Sequence, residues 1–429
     1  MIRPYRLWVH NIGQLATMSG SHGLGLIKSA SVLVNQMGEI TWAGVERDFP
    51  KHLPIQFADK KIDAQGGLVM PGIVDPHTHP VFSNEGLPRL PDFKQRLDKE
   101  PGYTSGKVYQ TINATRQAEI GSLGREVTNR LARMAQFGVT TVEAKSGYFL
   151  TKTGELNSLG LVYEIGRSSY AHFLPRTVAT LLGCHFVPKE FTGRRGDYVA
   201  FVCHELIPEA AEQGIAMFCD VFVDELPNAF TPDDARKVAK AARASGLKMK
   251  LHVDQTSGKL HGAELAAELG VVSADHLDHA SDAGIQQLEK SGVVAVLLPY
   301  ACQFTLSQMP NARSFLDAGV RVALSTDLNP GSSFIDDPWY IAFLGVTHCG
   351  MTSSEALRAI TVEAAAAIAA DVPAAGVGRI LPGYMGDMVI IDTPFPEALL
   401  YDWRHVPIQA VIRGGMLIPN SGPLATGII

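Results

Sequence analysis

Two histidines separated by one residue, His77 and His79, are the part of this sequence best suited to chemistry. They end an apolar, strand-like run, and residues two apart on a strand share a face, so both imidazoles can reach one ion. Such a pair by itself is more often structural than metal-binding. Here His252, His276 and Asp327 lie near the ends of later strand-like runs. Three nitrogens and a carboxylate suit Zn²⁺ or Fe²⁺, and the sequence therefore predicts a metal site.

The elements that must position these residues follow a repeated pattern of a short β-branched run and a longer helical segment. Strands that alternate with helices predict a parallel sheet, and eight such units predict an α/β fold of the TIM-like (β/α)8 barrel type. Most runs begin apolar and carry polar residues near their C-terminal end, the catalytic face of such barrels. The predicted strands span residues 68–79, 139–148, 176–185, 217–225, 247–255, 271–279, 293–300 and 320–332.

The two flanks of the chain have a different character, with short strand-like pieces separated by turn signals. Examples are SASVLVNQMGEITWAG near the start and GDMVIIDTPF and IQAVIRGGMLIP near the end. We expect residues 1–66 and 380–429 to pair into one small, composite β-sandwich domain, with the barrel over residues 67–379.

Composition and charge exclude several classes of protein. Hydrophobic residues make up 46% and charged residues 19% of the chain, which is typical of a well-buried globular protein. The net charge of −6 comes with no basic stripe, so nucleic-acid binding is not expected. We find neither a signal peptide nor an apolar run long enough to span a membrane, and the five cysteines form no CxxC pair. These features predict a cytoplasmic protein with reduced thiols.

A family resemblance becomes specific when the motifs are read together. The series PGIVDPHTH, VEAKSGY, LGCH, LHVDQ, SADHLDH and STDLNPGS resembles that of the imidazolonepropionases. These are metal-dependent amidohydrolases of histidine degradation that open 4-imidazolone-5-propionate to N-formimino-glutamate. The resemblance runs in register from about residue 66 to about residue 400 and covers most of the chain.

The resemblance implies a set of site residues and a homodimer. It implies that the metal ligands are His77, His79, His252 and Asp327. Around the substrate it implies Tyr148, His185, Gln255, Asn329, Gly331 and Ser332. These types suit a substrate with a propionate tail and a ring carbonyl, and we expect the turn at residues 330–332 to expose backbone N–H groups.

A catalytic hypothesis follows for two of these side chains. Asp327 takes the proton from the attacking water and later passes it to the leaving ring nitrogen. His276 stabilises the developing oxyanion or orients the water. Gln255 has no usable proton-accepting function and is expected to bind only.

The sequence departs from the family pattern after the two histidines. Arg89 stands where a substrate-binding arginine is expected, but the run from Phe82 to Arg89 is longer than in the family. A glycine-rich segment is replaced by Ser105-Gly106-Lys107-Val108, and Lys107 cannot approach a ligand as a glycine can. Either Arg89 still clamps a propionate, or the loop admits another cyclic amide or an amino-substituted ring that is deaminated.

Other candidates have simpler interpretations. Lys145 would be carbamylated in a two-metal relative, but the single-metal resemblance favours an ion pair. Asp254 is a weak candidate for orienting a ligand histidine. His204 is expected to pack or to lie at the surface of a helix, and Cys302 to pack. A non-catalytic metal-binding scaffold would predict a gap in the ligand series, and the series is complete.

Overall fold

Parallel strands occupy the middle of the chain in the order that the sequence predicts. This computed structural model describes residues 5–50, 53, 58–98, 107–169, 171–371, 376–419 and 421–425. Its strands are β1 (Tyr5–Ala16), β2 (Leu26–Asn35), β3 (Ile40–Val45), β4 (Ala58–Asp63), β5 (Leu68–Pro71), β6 (Ile73–Thr78), β7 (Val139–Lys145), β8 (Arg176–Cys184), β9 (Phe218–Val223), β10 (Lys248–Val253), β11 (Ser273–His276), β12 (Val294–Leu297), β13 (Val322–Leu324), β14 (Met388–Ile391), β15 (Ile408–Arg413) and β16 (Met416–Leu417).

Helices follow most of the barrel strands, and several begin at capping residues. The helix over 232–244 starts at a capping box of Thr231 and Asp234, and that over 353–359 at one of Thr352 and Glu355. The helices are α1 (Leu90–Leu97), α2 (Val108–Gln117), α3 (Ile120–Gln136), α4 (Lys152–Arg167), α5 (Arg195–Phe201), α6 (Ile207–Gln213), α7 (Pro232–Ala244), α8 (Gly262–Leu269), α9 (Asp282–Ser291), α10 (Pro299–Thr305), α11 (Ala312–Asp317), α12 (Pro338–His348), α13 (Ser353–Ala359), α14 (Val362–Ala367) and α15 (Ala398–Tyr401).

The barrel prediction is confirmed. Strands β6 to β13 form one sheet in sequential order, and each pairs in parallel with the next. Nearly all of their residues are buried, as expected for strands covered on both faces. All C-terminal strand ends therefore meet at one face of the sheet, where the predicted site residues lie.

Asp75 on β6 links the first and last barrel strands. Its carboxylate accepts hydrogen bonds from the backbone N–H of Thr326 at 3.2 Å and from the Thr326 hydroxyl at 2.5 Å. The Ser325 hydroxyl also hydrogen-bonds to Asp75, and His79 N donates to Leu328 O at 2.9 Å. Since Asp75 is 2% exposed, this seam fixes the segment after β13 against β6 without access to water.

The strands of the two flanks form a separate sheet, as predicted. Hydrogen bonds connect them in the order β16-β15-β14-β5-β1-β2-β3, with β4 also paired to β1. The C-terminal part joins the N-terminal part where β14 pairs antiparallel with β5. A second cluster of buried apolar side chains, including Val9, Val32 and Ile390, belongs to this sheet.

One predicted strand and one helical segment are each divided in the structure. The run 68–79 is two strands, because the chain leaves the terminal sheet after β5 and enters the barrel at β6. Gly72 lies at the break, where an added Cβ would be 2.2 Å from Thr140 Oγ1, so only glycine fits. The segment 353–370 forms α13 and α14, separated by Thr361 with non-helical backbone angles. The terminal sheet thus reaches Pro71, and the domain division at residues 66 and 380 stays a prediction.

We expect Asp75→Ala to destabilise the barrel. The change leaves two buried donors of Thr326 without an acceptor, at a cost of about 1–3 kcal/mol each. Urea unfolding should show the loss, whereas Asp233→Ala, at a carboxylate whose side chain is 83% exposed, should change stability by less than about 0.5 kcal/mol. Equal midpoints for Asp75→Ala and wild type would contradict the role given to the seam.

Candidate metal centre

The predicted ligating residues converge at the C-terminal face of the barrel. His77 and His79 lie at the end of β6, His252 on β10 and His276 at the end of β11, while Asp327 follows β13. All five are buried, with exposed fractions of 3% or less. Strand geometry explains the convergence, because parallel barrel strands direct their last side chains to one mouth.

Three imidazole nitrogens and one carboxylate oxygen form a compact group. His79 Nε2 lies 3.2 Å from His77 Nε2 and 3.4 Å from His252 Nε2. Asp327 Oδ1 lies 3.5 Å from His77 Nε2 and 3.4 Å from His79 Nε2. Atoms that share one ion at about 2.0–2.1 Å lie about 3–4 Å apart, so these four distances fit ligands of a common ion.

Hydrogen bonds to two carboxylates determine which nitrogens of His77 and His252 are free. His77 Nδ1 lies 2.6 Å from Asp275 Oδ2, and His252 Nδ1 lies 3.1 Å from Asp220 Oδ1. Each Nδ1 therefore carries the proton that it donates, and each Nε2 presents a lone pair to the shared point. Lone pairs facing each other at these distances are stabilised by a cation between them, so the residues fit a metal ion.

Burial also favours the metal-binding protonation state of the imidazoles. Desolvation holds the pKa values of His77 and His79 well below the ordinary value, and the charge of Lys145 contributes in the same direction at His77. The neutral ring is the form that binds metals. For Asp327 burial has the opposite consequence, because it raises the pKa of the carboxyl to about 7 and so favours the protonated form. No described hydrogen-bond donor reaches its Oδ2.

His276 lies next to this group and is not one of the residues joined by the short distances given above. Its ring centroid is 5.6 Å from that of His77 and 5.5 Å from that of His252. Ligand atoms of His276, His77 and Asp327 lie within 4.8 Å of one another. Nδ1 of His276 has no hydrogen-bond partner among the described residues, so this ring can turn a polar atom towards a bound molecule.

A pocket that is partly open to solvent lies next to these side chains. Every residue that the resemblance implied for substrate binding borders it. The lining residues are His79, Arg89, Val108, Tyr148, His185, Phe222, His252, Gln255, His276, Asp327, Asn329, Gly331 and Ser332.

Comparisons with known proteins agree with this geometry. Residues 68–418 match the amidohydrolase family. The imidazolonepropionase of Geobacillus kaustophilus is 38% identical over 98% of this chain and 99% of that protein. That of Salinispora arenicola is 38% identical over 97% of this chain and 99% of that protein. The chain belongs to the imidazolonepropionase family.

Solved structures support the same fold. A triazine hydrolase variant superposes with a TM-score of 0.74 at 15% identity, covering 99% of this chain and 97% of that one. At this identity the likeness concerns the barrel and its terminal sheet alone. Among the described helices, none is both long and apolar enough to cross a membrane.

Arg89, where the chain departs from the family pattern, is buried at the edge of the cavity. Its Nε donates to Asp92 Oδ2 at 2.7 Å, and Nη1 lies 3.4 Å from the Thr111 hydroxyl. Lys107 reaches the same carboxylate, with Nζ 3.6 Å from Asp92 Oδ1. Lys107 thus extends the ion pair of Arg89 from outside the cavity lining, while Ser105 and Gly106 lie outside the described residues.

One expectation about the turn at residues 330–332 is wrong. The backbone N–H groups of Gly331 and Ser332 both donate to Asn329 Oδ1 at 2.8 Å, so they do not point into the cavity. Asn329 forms this local bond because a short amide side chain readily caps its own turn. Its Nδ2 donates to the backbone oxygen of Asp327 at 2.7 Å and so holds the turn against that residue.

His185 and Tyr148 form another part of the cavity lining, with ring centroids 5.2 Å apart. The His185 ring stacks on that of His79, with centroids 5.1 Å apart and planes at 17°. His185 Nδ1 donates to the backbone oxygen of Gly147 at 3.0 Å, and burial holds the pKa of this imidazole well below its ordinary value. A neutral ring that donates through Nδ1 presents Nε2 as an acceptor, which suits a ring N–H of a ligand.

The sequence interpretation missed the carboxylates that orient the ligands. The suggestion of Asp254 is wrong, since its carboxylate instead accepts from the N–H groups of Gly262 and Ala263 at the start of α8. The orienting residues are Asp220 and Asp275, inside β9 and β11. Their signal in the sequence is a charged residue inside a predicted barrel strand, and both strands are fully buried in the structure.

The surroundings of Lys145, His204 and Cys302 agree with the simpler interpretations given for them. Lys145 forms ion pairs with Glu143 at 2.8 Å and Asp220 at 2.7 Å. Although burial favours the neutral amine, these carboxylates hold the pKa of Lys145 above its ordinary value. His204 is exposed within a helical stretch, and Cys302 is buried.

We expect Gly331→Ala to displace Arg89. A Cβ on residue 331 would lie 2.5 Å from Arg89 Nη1, so the guanidinium must move. Binding of carboxylate-bearing ligands to the cavity should weaken while metal content stays the same, as measured by titration calorimetry and metal analysis. Gly196→Ala, where an added Cβ meets nothing within 4 Å, is the matched control. Unchanged ligand affinity in Gly331→Ala would show that ligand binding by Arg89 does not require the space left by glycine at residue 331.

Proposed function

We propose that this chain hydrolyses 4-imidazolone-5-propionate to N-formimino-L-glutamate, as a hydrolase acting on a carbon–nitrogen bond in a cyclic amide. Family membership supports this reaction. The observation that carries it to individual residues is the group of three imidazole nitrogens and one carboxylate oxygen at spacings of 3.2–3.5 Å beside a polar cavity. No described feature favours a deaminase or a non-catalytic scaffold.

One divalent ion, zinc or iron, is held by His77, His79, His252 and Asp327 in this proposal. When bound, such an ion supplies a Lewis acid that polarises a carbonyl group and lowers the pKa of water. The fixed Nδ1 protons of His77 and His252 support the assignment, because they direct both Nε2 lone pairs to the same point. Elemental analysis of the purified protein identifies the metal and its stoichiometry.

Asp327 and His276 carry the proton transfer and the charge stabilisation. Asp327 accepts a proton from the attacking water through Oδ2, which has no hydrogen-bond partner among the described residues, and then delivers it to the leaving ring nitrogen. His276 borders the same cavity and stabilises the developing oxyanion or orients the water. Both side chains are buried, which strengthens their electrostatic effect.

The substrate lies between Arg89 and the part of the cavity lining formed by His185 and Tyr148. Arg89 binds the propionate carboxylate with its terminal nitrogens, since Asp92 fixes the guanidinium through Nε. His185 accepts a hydrogen bond from the ring, and in this proposal further residues that line the cavity surround the substrate. These are Tyr148, Gln255, Asn329, Gly331 and Ser332.

The first test is hydrolysis of 4-imidazolone-5-propionate, followed as loss of the ring's ultraviolet absorbance. We expect rapid loss with metal-loaded protein and none after chelation. Asp327→Asn should lower turnover by about 10²- to 10⁴-fold, because the amide cannot accept the proton. Metal content is measured on the same sample, so that loss of the ion is distinguished from loss of the base.

Asp392→Asn is the control for this test, since it changes an exposed carboxylate in the terminal part of the chain. Full activity is expected there. A metal-loaded wild type that leaves the substrate intact would refute the proposed substrate. Undiminished turnover in Asp327→Asn would refute the proposed proton acceptor.

Arg89→Lys tests recognition of the propionate. Lysine keeps the charge but lacks the planar fork, so one charge-assisted hydrogen bond is lost, and KM should rise roughly 10- to 100-fold. Steady-state kinetics of the variant and of Arg236→Lys, at an exposed arginine, measure the effect. Equal KM values for Arg89→Lys and wild type would assign the carboxylate to another residue.

Assembly and location complete the proposal. We expect a homodimer in the cytoplasm, on the basis of family membership and of the five free cysteines. Light scattering coupled to size-exclusion chromatography determines the oligomeric state.

A further inference from the structure

A layer of charged side chains lies on β10, which carries the proposed ligand His252, and on strands next to β6 and β10. It contains Glu143 and Lys145 on β7, Asp220 on β9, Lys250 on β10 and Asp275 on β11. All five are 0% exposed. Charges buried so completely are costly unless they are paired, so their arrangement requires a physical reason.

Lys145 is the centre of this layer. Its Nζ lies 2.7 Å from Asp220 Oδ2, 2.8 Å from Glu143 Oε1 and 3.7 Å from Asp275 Oδ2. Asp220 and Asp275 are the two carboxylates that bind Nδ1 of His252 and His77. One ammonium group therefore contacts both carboxylates that orient proposed metal ligands.

The second lysine of the layer has a different position. Lys250 Nζ donates to the backbone oxygen of Pro76 at 2.7 Å and lies 3.7–3.8 Å from Glu143 and Asp275. No contact between Lys250 and Asp220 is found among the described residues within 4.0 Å. The link between the two orienting carboxylates thus depends on Lys145.

The two carboxylates repel each other in a water-free interior, and each also requires a countercharge. Without one, a buried carboxylate can turn away from the imidazole, and the hydrogen bond between them is then weakened. A positive side chain in contact with both holds their oxygens directed at the two Nδ1–H groups. This arrangement sets the direction of the Nε2 lone pairs before any ion arrives.

We propose that Lys145 is a positioning residue of the metal centre, which holds Asp220 and Asp275 in the orientation that aligns His252 and His77. This inference rests on the metal site of the proposed function. It also assigns Lys145 as an unmodified ammonium. A carbamate at this position would place a further negative charge among three buried carboxylates.

The test measures Zn²⁺ affinity by competition with a chelator, together with the melting temperature of the metal-free protein. Lys145→Met and Lys145→Gln both remove the charge, and the glutamine retains polar hydrogen-bonding groups in case methionine prevents folding. We expect each variant to bind Zn²⁺ about 10- to 100-fold more weakly, the effect typical of changes around metal ligands. Lys152→Met, at a partly exposed lysine paired with Glu209, should bind Zn²⁺ like wild type.

A double-mutant cycle distinguishes positioning from a general loss of stability. If Lys145 acts through Asp220, the fold-loss in Zn²⁺ affinity caused by Lys145→Gln should be smaller in an Asp220→Asn background than in wild type. An equal fold-loss in the two backgrounds would overturn the inference. So would wild-type Zn²⁺ affinity in a folded Lys145→Gln protein. A wild-type chain that binds neither zinc nor iron would instead refute the proposed metal site itself.

Discussion

The candidate site depends on two buried hydrogen bonds, from His77 Nδ1 to Asp275 and from His252 Nδ1 to Asp220. Each bond fixes a tautomer and a ring orientation at once, because an imidazole that donates through Nδ1 has its lone pair on Nε2. Without these bonds, buried neutral rings would have no preference for the arrangement in which their Nε2 atoms meet. The hydrogen bond at Nδ1 of each ring thus determines where its Nε2 atom points.

The barrel makes this arrangement rigid. The orienting carboxylates lie inside β9 and β11, and the imidazoles of His252 and His77 lie on β10 and β6, so no mobile loop separates ligand from support. The segment containing Asp327 is not part of a strand, but the seam at Asp75 and the cap formed by Asn329 hold it on both sides. Side chains that must be positioned within a fraction of an ångström are best supported in this way.

The residues on the substrate-binding side of the cavity are held in place by a different kind of contact. Arg89 reaches the cavity from outside the barrel strands and is fixed by an ion pair with Asp92. Lys107 joins this ion pair, which gives the altered loop a charge that a glycine-rich segment does not supply. The departure from the family pattern therefore adds a partly buried electrostatic contact next to the cavity while the metal-binding strands remain intact.

The sequence by itself determined the eight barrel strands, the terminal sheet and the residues that meet at the barrel mouth. These follow from periodicity and from the rule that parallel strands end on one face, so local pattern suffices. The break at Gly72 was not predicted, because a single apolar run does not show which sheet each half will join. The sequence also did not show that Asn329 would accept hydrogen bonds from the N–H groups of the turn. It likewise did not show that Asp220 and Asp275, rather than Asp254, would orient the ligands. Those outcomes depend on which side chains face each other across strands distant in sequence, and only the tertiary structure decides such contacts.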